Sequence, residues 1–511
     1  MQRKQLTLVI VSLLVVVLSV SLAYFTTQII GKGKTVDVSS VNLQIVFTDS
    51  DGALTETDIE PGWQKTKTFT IKNDTKTEYK YNIVIKDLLN TFVTNGYLQY
   101  KITSTNDGYN MTEFKDIPKS SAPKDTILAY SVSIPVGVTQ SYTIEFKYAN
   151  DESVDQSDDM GKKLSGTLFI TEGTKEPVTL LSQILKDNPT RSTRSNNNNG
   201  TNDFATPLTT TTTGTLFTST ESITGITKSP KEVYYYAGNT TNNWVKFANL
   251  YWRIIRTNHD GSIRLLYVGT SPDTTNGNIG KREFNTYYSS PKYVGYKYGA
   301  DTSLDTIRNN TYNSSIKAYV DNWYQSNLIN YTKYLSTSAV YCNDRSLGTG
   351  QTYSASAKFN FASYNRMDSD AKGAKANPSY NCTDIRDAFI VDNTSAKLTY
   401  PVSLMTADEI MFAGGATFEN IMKTPYAWFM SNSVGTKVSY EWWSLSPCNG
   451  YGNSSSVWFW EQGSKVHLKY SSMRLNNAVR PAISLKSCTL YSTGDGTAEN
   501  PYTVQETDTG C

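Results

Sequence analysis

The residues best suited to chemistry in this chain lie in one short stretch, WWSLSPCNGYGNSSS, at positions 442–456. Cys448 follows two adjacent tryptophans, and such a cysteine can act as a catalytic nucleophile once a base lowers the pKa of its thiol. The chain offers only two histidines as that base, His259 and His467. The same composition is also typical of recognition loops, in which rigid aromatic rings supply contact area and small polar residues supply adaptable hydrogen bonds.

The next segment, SVWFWEQGSKVHLKY, predicts a β-hairpin that turns at residues 461–464. This register places Trp460 opposite Lys465 and Trp458 opposite His467, on one face. The other face is entirely apolar and is expected to contact the core; it carries Val457, Phe459, Val466 and Leu468. Exposed indole rings beside cationic side chains are suited to stacking on sugars or packing against a protein partner. The alternative is that both faces are buried and the tryptophans belong to the core.

A ligand-binding surface is therefore favoured over a catalytic site. The predicted ligand-binding residues are Trp442, Trp443, Asn449, Tyr451, Asn453, Trp458, Trp460, Lys465, His467 and Lys469. No catalytic residue is predicted, because a histidine beside a lysine and without an orienting carboxylate is a poor general base. No metal and no cofactor are expected, since two histidines exclude a histidine-rich zinc site and the cysteines form no CxxC pair.

The N-terminal residues 1–30 predict export from the cell. Arg3 and Lys4 precede a largely apolar stretch from Leu6 to Phe25, which is long enough to cross a bilayer. Small residues at Ser21 and Ala23 also fit the recognition pattern of a signal peptidase. A membrane anchor and a removed signal peptide therefore both stay open, and either places the rest of the chain on the extracellular face of the membrane or in the medium.

Export changes the interpretation of the five cysteines, because thiols outside the cell tend to form disulfides. Cys342 and Cys382 are expected to pair, and Cys488 and Cys511 are expected to join the last segment of the chain. Cys448 is then left over. A structural disulfide is nevertheless favoured for Cys448 over a free thiol, and this conflict stays open at the level of the sequence.

Alternation of apolar and polar residues predicts an all-β sandwich over residues 35–172. Residues 173–230 predict a Thr/Asn-rich linker that begins with a short helix ending near Pro189, with an irregular edge strand as the alternative. Residues 231–511 predict an α+β domain with strands around 245–247, 251–256 and 262–268. His259 is expected to be a solvated residue of the turn between the last two of these strands.

Two helices are expected within the α+β domain. Ile316, Val320, Trp323 and Tyr324 recur at helical spacing behind a serine that caps the helix. The second helix begins at a capping box formed by Thr406 and Glu409 and ends at two adjacent glycines, Gly414 and Gly415.

The first part of the chain resembles a known group of surface proteins. The sequences SLAYFTT, EPGWQKTKTFTIKN and GVTQSYTIEF are similar to those of the camelysin and biofilm-fibre group of Gram-positive bacteria, over roughly the first 170 residues. The resemblance implies an exported β-domain linked to matrix fibres. Protease activity has been claimed for some members, but this region carries no HExxH motif or other protease signature, so the resemblance implies architecture and not chemistry.

The C-terminal part resembles a second family, of uncharacterised surface proteins of Gram-positive bacteria. The likeness rests on VKFANLYWRIIR, YCNDRSL, YPVSLMTADEIMFAGG, YEWWSLSP, VRPAISLKSC and GDGTAENPYTV. It implies a C-type-lectin-like fold, which is shared with formylglycine-generating enzymes and displays loops and a short hairpin as a binding face. Trp252 and Ile254 would lie on the opening strand and residues 479–485 on the closing strand of one sheet, with Arg480 and Pro481 where the chain re-enters the core.

The same resemblance bears on cofactors. The EPN, QPD and WND motifs of calcium-dependent lectins are absent from this sequence, so neither calcium nor a calcium-bridged sugar is implied. A formylglycine-generating enzyme would need two active cysteines, for which Cys448 and Cys488 are candidates only by their positions in the chain.

Together these features predict an exported cell-surface recognition or adhesion protein that binds an extracellular glycan or protein through residues 440–475. The first alternative is a structural protein whose β-sandwich assembles into matrix fibres. The second is an enzyme of the formylglycine-generating type, which requires free thiols at Cys448 and Cys488. The net charge of +2, from 48 basic and 46 acidic residues, gives no reason to expect a nucleic-acid partner.

Overall fold

The computed structural model describes residues 35–40, 43–49, 54–56, 59–75, 77–194, 204, 207–272, 277–367, 376–415, 417, 441–452, 454–462 and 466–511. The chain divides into two compact units, Met1–Glu176 and Pro177–Cys511. Both units consist mostly of β-strands, with few helices. The predicted export segment from Leu6 to Phe25 lies outside the described residues, and no helix within the described ranges is long and apolar enough to span a bilayer.

The described residues of the first unit form ten strands and one short 3-10 helix at Ser157–Asp159. The strands are β1 (Thr35–Ser40), β2 (Leu43–Asp49), β3 (Leu54–Glu56), β4 (Gln64–Asn73), β5 (Tyr79–Asn90), β6 (Leu98–Ser104), β7 (Lys115–Asp116), β8 (Ser120–Ile134), β9 (Thr139–Tyr148) and β10 (Leu164–Glu172). They form a six-stranded sheet of order β1-β2-β4-β9-β6-β7 and a four-stranded sheet of order β3-β10-β5-β8.

The two sheets of the first unit enclose one hydrophobic core, which confirms the predicted sandwich. Ile71 and Ile144 reach this core from the six-stranded sheet, and Ile83 and Ile170 reach it from the four-stranded sheet. Because successive side chains of a strand point to opposite faces, the apolar positions of the alternating pattern meet in the middle.

The second unit carries the remaining elements. Its strands are β11 (Thr190–Thr193), β12 (Thr215–Glu221), β13 (Lys231–Tyr235), β14 (Trp244–Phe247), β15 (Leu250–Thr257), β16 (Ile263–Gly269), β17 (Lys281–Arg282), β18 (Lys297–Tyr298), β19 (Tyr312–Asn313), β20 (Tyr341–Cys342), β21 (Phe359–Asn360), β22 (Ala388–Phe389), β23 (Val402–Leu404), β24 (Glu441–Gly450), β25 (Ser456–Gln462), β26 (Val466–Ser472), β27 (Asn477–Ala478), β28 (Pro481–Leu485) and β29 (Tyr502–Thr503). Its helices are α1 (Leu180–Asp187), α2 (Leu304–Ile307), α3 (Ser315–Asn327), α4 (Ala362–Arg366) and α5 (Ala407–Phe412), with 3-10 turns at Pro291–Val294, Ile329–Tyr334, Ile385–Asp387 and Thr394–Ala396.

Two main sheets organise the second unit. A nine-stranded sheet has the order β11-β12-β13-β15-β16-β28-β23, with β14 paired to β15 and β29. A six-stranded sheet has the order β17-β27-β24-β25-β26, with β21 paired to β24. The early strand β15, which carries Trp252 and Ile254, and the late strand β28 belong to the same sheet and are joined through β16.

The predicted linker at residues 173–230 is wrong for much of its length. Helix α1 is present as expected, but strands β11 and β12 pair with each other and β12 pairs with β13. The polar, threonine-rich composition concealed these strands, although threonine favours extended backbone and Leu216 and Phe217 are buried in the hydrophobic clusters. The second unit therefore begins at Pro177 and includes this segment.

Both predicted helices are confirmed together with their caps. The Ser314 side chain accepts a hydrogen bond from the Lys317 backbone at the start of α3. Thr406 and Glu409 form the complete capping box of α5. Gly414, at φ +102, follows this helix in the left-handed region that favours glycine.

The four cysteines that we expected to pair do so, as Cys342–Cys382 and Cys488–Cys511. Cys448 lies outside both disulfides and is buried, so the structural disulfide favoured for it is wrong. Because Cys488 is bonded to Cys511, the pair of thiols that a formylglycine-generating site would need at Cys448 and Cys488 is not formed.

Candidate functional site

The predicted hairpin exists as β25 and β26, but its register differs from the prediction. Trp460 lies opposite Leu468, three positions beyond the Lys465 that the sequence suggested, and Trp458 lies opposite Tyr470. Strand β25 runs through Gln462 and β26 begins at Val466, whereas the prediction had the two strands separated by residues 461–464. Because a shift by an odd number of residues reverses the faces, His467 now lies opposite Glu461 and not Trp458.

The tryptophans of this region are core residues, and their predicted display to solvent is wrong. Trp442, Trp443, Trp458 and Trp460 are all fully buried. Trp443 packs into one hydrophobic cluster with Phe459, whereas the other three pack into a second cluster with Leu468. The physical reason is that apolar side chains cover both faces of β24 and β25, so neither face is left for a ligand.

The other predicted ligand-binding residues are scattered. Asn449 is buried where β24 pairs with β21, and Tyr451 is 45% exposed at the end of β24. Lys469 is partly exposed, whereas His467 is buried. Asn453 and Lys465 lie outside the described residues.

His467 has the carboxylate neighbour that the sequence analysis did not identify. Its Nε2 lies 2.7 Å from Glu461 Oε2, and Lys469 Nζ lies 3.2 Å from the same oxygen. Burial raises the pKa of Glu461, but hydrogen bonds from His467 and Lys469 outweigh burial, so the pKa is lowered. These contacts link the two strands of the hairpin on the face opposite Trp458 and Trp460. Within the described ranges, no cluster of histidine, cysteine, aspartate or glutamate side chains could hold a metal ion.

A cleft elsewhere in the second unit offers better geometry for binding. It encloses about 400 Å³ and is lined by Arg282, Glu283, Thr286, Ser315, Ala318, Tyr319, Asn322 and Asn476. We call it the Arg282 cleft. Its size lies within the range of sites that bind small molecules or short segments of larger ligands.

Two elements form the walls of the Arg282 cleft. One wall is the face of α3 that carries Ser315, Tyr319 and Asn322, while Ile316 and Val320 on another face of the helix are buried in the core. Side chains three and four residues apart lie on one face of a helix, which explains why the same helix serves both purposes.

The second wall consists of β17 and the residues after it, held in place by β27. Lys281 pairs with Ala478 and Arg282 pairs with Asn477, which brings Asn476 to the cleft. The two walls are linked directly, since the Thr286 backbone N–H donates to Ser315 Oγ over 3.0 Å.

Trp443 supports the cleft from behind. Its Nε1–H donates to the backbone oxygen of Arg282 over 2.8 Å, and its ring lies edge-to-face with Phe284. The Arg282 guanidinium lies 4.9 Å from the centre of the Tyr319 ring, whose hydroxyl donates to the backbone oxygen of Ile279. Trp443, a predicted ligand-binding residue, therefore positions the site without lining it.

Exposed aromatic side chains continue from the edge of the cleft. Four tyrosines are in successive ring contact, with centroids 5.6, 5.0 and 5.7 Å apart; we call them the tyrosine row, and they are Tyr287, Tyr293, Tyr298 and Tyr312. The two ends of the row are the most accessible, at 63% for Tyr287 and 58% for Tyr312. Tyr287 directly follows Thr286 of the cleft, so the chain leads from the cleft lining into the exposed end of the row.

Two further exposed side chains neighbour these residues in the chain, since Leu475 precedes Asn476 of the cleft and Tyr288 follows Tyr287 of the row. Leu475 and Tyr288 are exposed, and the Arg474 guanidinium lies 5.0 Å from the centre of the Tyr288 ring. Sequence reasoning missed the whole surface. The available signal was the stretch KREFNTYYSS at residues 281–290, whose tyrosine, asparagine and serine content has the same recognition-loop character as residues 442–456.

Comparison of the chain with models of protein families, with curated proteins and with solved structures finds no match.

Proposed function

We propose that this chain is a surface recognition protein whose second unit binds an extracellular glycan through the Arg282 cleft and the tyrosine row. The observation that carries the proposal is a polar cavity of about 400 Å³ whose lining residue Thr286 is followed by Tyr287, the exposed end of a row of mutually packed tyrosine rings. Sugars present hydroxyl groups at their edges and C–H groups on their faces. A polar cleft beside aromatic rings complements both.

The rings of the tyrosine row pack against one another, as the rings of a binding platform do. Tyr293 contacts both Tyr287 and Tyr298, and Tyr298 also contacts Tyr312. Ordering these side chains in advance lowers the entropy that a ligand would otherwise lose on binding. Large exposed apolar groups that cluster in this way mark interaction surfaces more often than scattered ones do.

The remaining parts of the proposal agree with the sequence. Two disulfides fit an oxidising environment outside the cell, and the segment from Leu6 to Phe25 would provide export or anchoring. A C-type-lectin-like character for the second unit is supported by the placement of β15 and β28 in one sheet. The proposed binding face, however, is the cleft wall formed by α3 and β17, and not residues 440–475 as the sequence predicted.

The test is binding of the purified full-length chain to a glycan panel, with Tyr287→Ala and Tyr312→Ala as variants. Both changes remove an exposed ring, so we expect weaker binding with unchanged folding. Tyr451→Ala is the matched control, because Tyr451 is also an exposed tyrosine of the second unit but lies in the loop after β24. If only the Tyr451 variant lost binding, the glycan would bind at residues 440–475 and not at the Arg282 cleft. A folded chain that binds no glycan would refute the proposal.

A further inference from the structure

Arg282 is held in place while its hydrogen-bond donors stay available. Its backbone oxygen accepts from Trp443 and its guanidinium lies over the Tyr319 ring. Within the part of the chain that the structure describes, the guanidinium forms no ion pair and no hydrogen bond. A planar guanidinium with free N–H groups matches the geometry of a carboxylate, to which it can donate two parallel hydrogen bonds.

The other polar groups of the cleft require a different partner. Glu283, Asn322 and Asn476 line the same cavity, and their side chains make no hydrogen bond to any described residue. A carboxylate such as Glu283 only accepts hydrogen bonds, whereas the two amides both donate and accept. The cleft thus offers acceptors for hydroxyl groups in the same cavity as a donor suited to an anion.

From this arrangement we infer that the glycan recognised by the Arg282 cleft contains an acidic sugar, whose carboxylate binds Arg282 and whose hydroxyls bind Glu283, Asn322 and Asn476. A sugar acid carries both kinds of group on one ring. A neutral sugar would leave the Arg282 guanidinium without an anion, and a simple anion would leave Glu283 without a donor. This inference rests on the proposed glycan-binding function and specifies its ligand class.

Two cations that stack on nearby tyrosines favour the same ligand. Arg474 lies against Tyr288, and Lys292 Nζ lies 5.0 Å from the centre of the Tyr293 ring in the tyrosine row. A chain of acidic sugars that follows the row would pass these cations. Because the cations are accessible to solvent, salt would screen their attraction, so binding should weaken as ionic strength rises.

The experiment uses the full-length chain and a panel of carboxylated glycans, namely galacturonan, hyaluronan and sialylated oligosaccharides. Each is paired with its own methyl ester, which keeps the sugar and removes the charge, and sulfated glycans form a separate arm. We expect at least one carboxylated glycan to bind and its methyl ester not to. Arg282→Gln should weaken that binding about tenfold to a hundredfold, which is the usual effect of losing a charge-assisted pair.

The matched control is Lys246→Gln, which removes another exposed cation that stacks on a tyrosine, Tyr251, in the same unit but outside the cleft. This variant should bind normally, and thermal unfolding should show that both variants are folded. Equal binding of acid and ester, or binding that survives Arg282→Gln, overturns the inference while leaving glycan recognition intact. Preference for sulfated glycans overturns the carboxylate assignment. Failure of every glycan to bind removes the proposed function itself.

Discussion

Glu409 shows how a residue recognised from local pattern can have a larger role in the fold. Its position three residues after Thr406 predicts a capping box, and its Oε2 does accept from the Thr406 backbone over 2.9 Å. Its other oxygen accepts from Arg256 over 2.8 Å and from Arg264 over 2.7 Å. All three charged side chains are buried. The cap was predictable because it is local. The ion pairs were not, because Arg256 and Arg264 lie 153 and 145 positions before Glu409 in the chain.

We expect Glu409→Gln to lower the free energy of unfolding of the second unit by about 3–5 kcal/mol, because it removes the carboxylate paired with the buried Arg264 and one of the two paired with the buried Arg256. Urea unfolding followed by tryptophan fluorescence measures this, since every tryptophan except Trp63 lies in the second unit. Glu499→Gln is the control on an exposed glutamate and should change stability by less than about 0.5 kcal/mol. Similar stabilities of the two variants would mean that the buried ion pairs contribute little.

Glu221 extends this charge network and makes its stability depend on pH. Burial raises the pKa of Glu221, but the Arg256 charge 2.9 Å away and a hydrogen bond from His259 outweigh burial and lower the pKa to about 2. The His259 side chain is only 8% exposed, so its expected role as a solvated turn residue is wrong. Its backbone N–H donates to Glu221 Oε2, which draws the turn inwards.

A carboxylate whose pKa is lower in the folded state stabilises the fold above its unfolded pKa, which is about 4.3 for glutamate. This contribution is lost as the pH falls from about 4.3 towards the folded value of about 2. We therefore expect the stability advantage of the native chain over Glu221→Gln to be constant above about pH 5 and to shrink between pH 4 and pH 2. Urea unfolding at several pH values tests this, and an advantage that does not change with pH would contradict it.

At the scale of elements, the β25–β26 hairpin shows what an alternating pattern cannot determine. The pattern predicts two strands correctly. Register depends on where the turn lies, and the turn at EQGSK could be placed in more than one way. The sequence assigned one apolar face of the hairpin to the core, but the face with Trp458 and Trp460 is covered as well. Tyr364 of α4 contacts Trp458 on this face and also contacts Tyr470, the partner of Trp458 on β26.

Helix α3 was predicted correctly, but the cleft on its polar face was not. Its apolar positions predicted the helix and its buried face, since Ile316, Val320 and Tyr324 are all in the core. Its polar face gave no sign of a cleft, because the opposite wall is supplied by β17, and β17 is positioned by pairing with β27 far along the chain. A cleft between two elements is a property of their packing, which neither element encodes alone.

Filling the cleft from α3 should separate binding from folding. Ala318 lines the cleft and is exposed, so Ala318→Trp places a large ring in the cavity without disturbing the core. We expect binding to the glycan panel to fall more than tenfold with little change in thermal stability. Gln325→Trp puts the same ring on an exposed position of α3 outside the cleft and should bind normally. Undiminished binding by the Ala318 variant would exclude the cleft as the site.

At the scale of the whole molecule, composition located the two folded regions but misplaced the boundary between them. Alternating apolar residues identified the sandwich of the first unit because strands such as β4, β6 and β9 show the pattern locally. The linker prediction failed because residues 190–193 and 215–221 have few apolar side chains and acquire their structure by pairing within the nine-stranded sheet. Sheet edges of this kind depend on partners distant in sequence, and composition alone does not reveal them.

The boundary can be tested by cutting the chain at two positions. A fragment of residues 177–511 retains every element of the second unit, and we expect it to fold and form both disulfides.

A fragment of residues 231–511 loses α1, with its buried Leu180 and Ile184, and loses β12, with Glu221 of the buried charge network. Strand β13 would then have an open edge, and Arg256 would lose one of its two carboxylate partners. We therefore expect the shorter fragment to aggregate or to unfold at much lower urea concentration. Equal stability of the two fragments in urea would show that residues 177–230 are dispensable, as a linker would be.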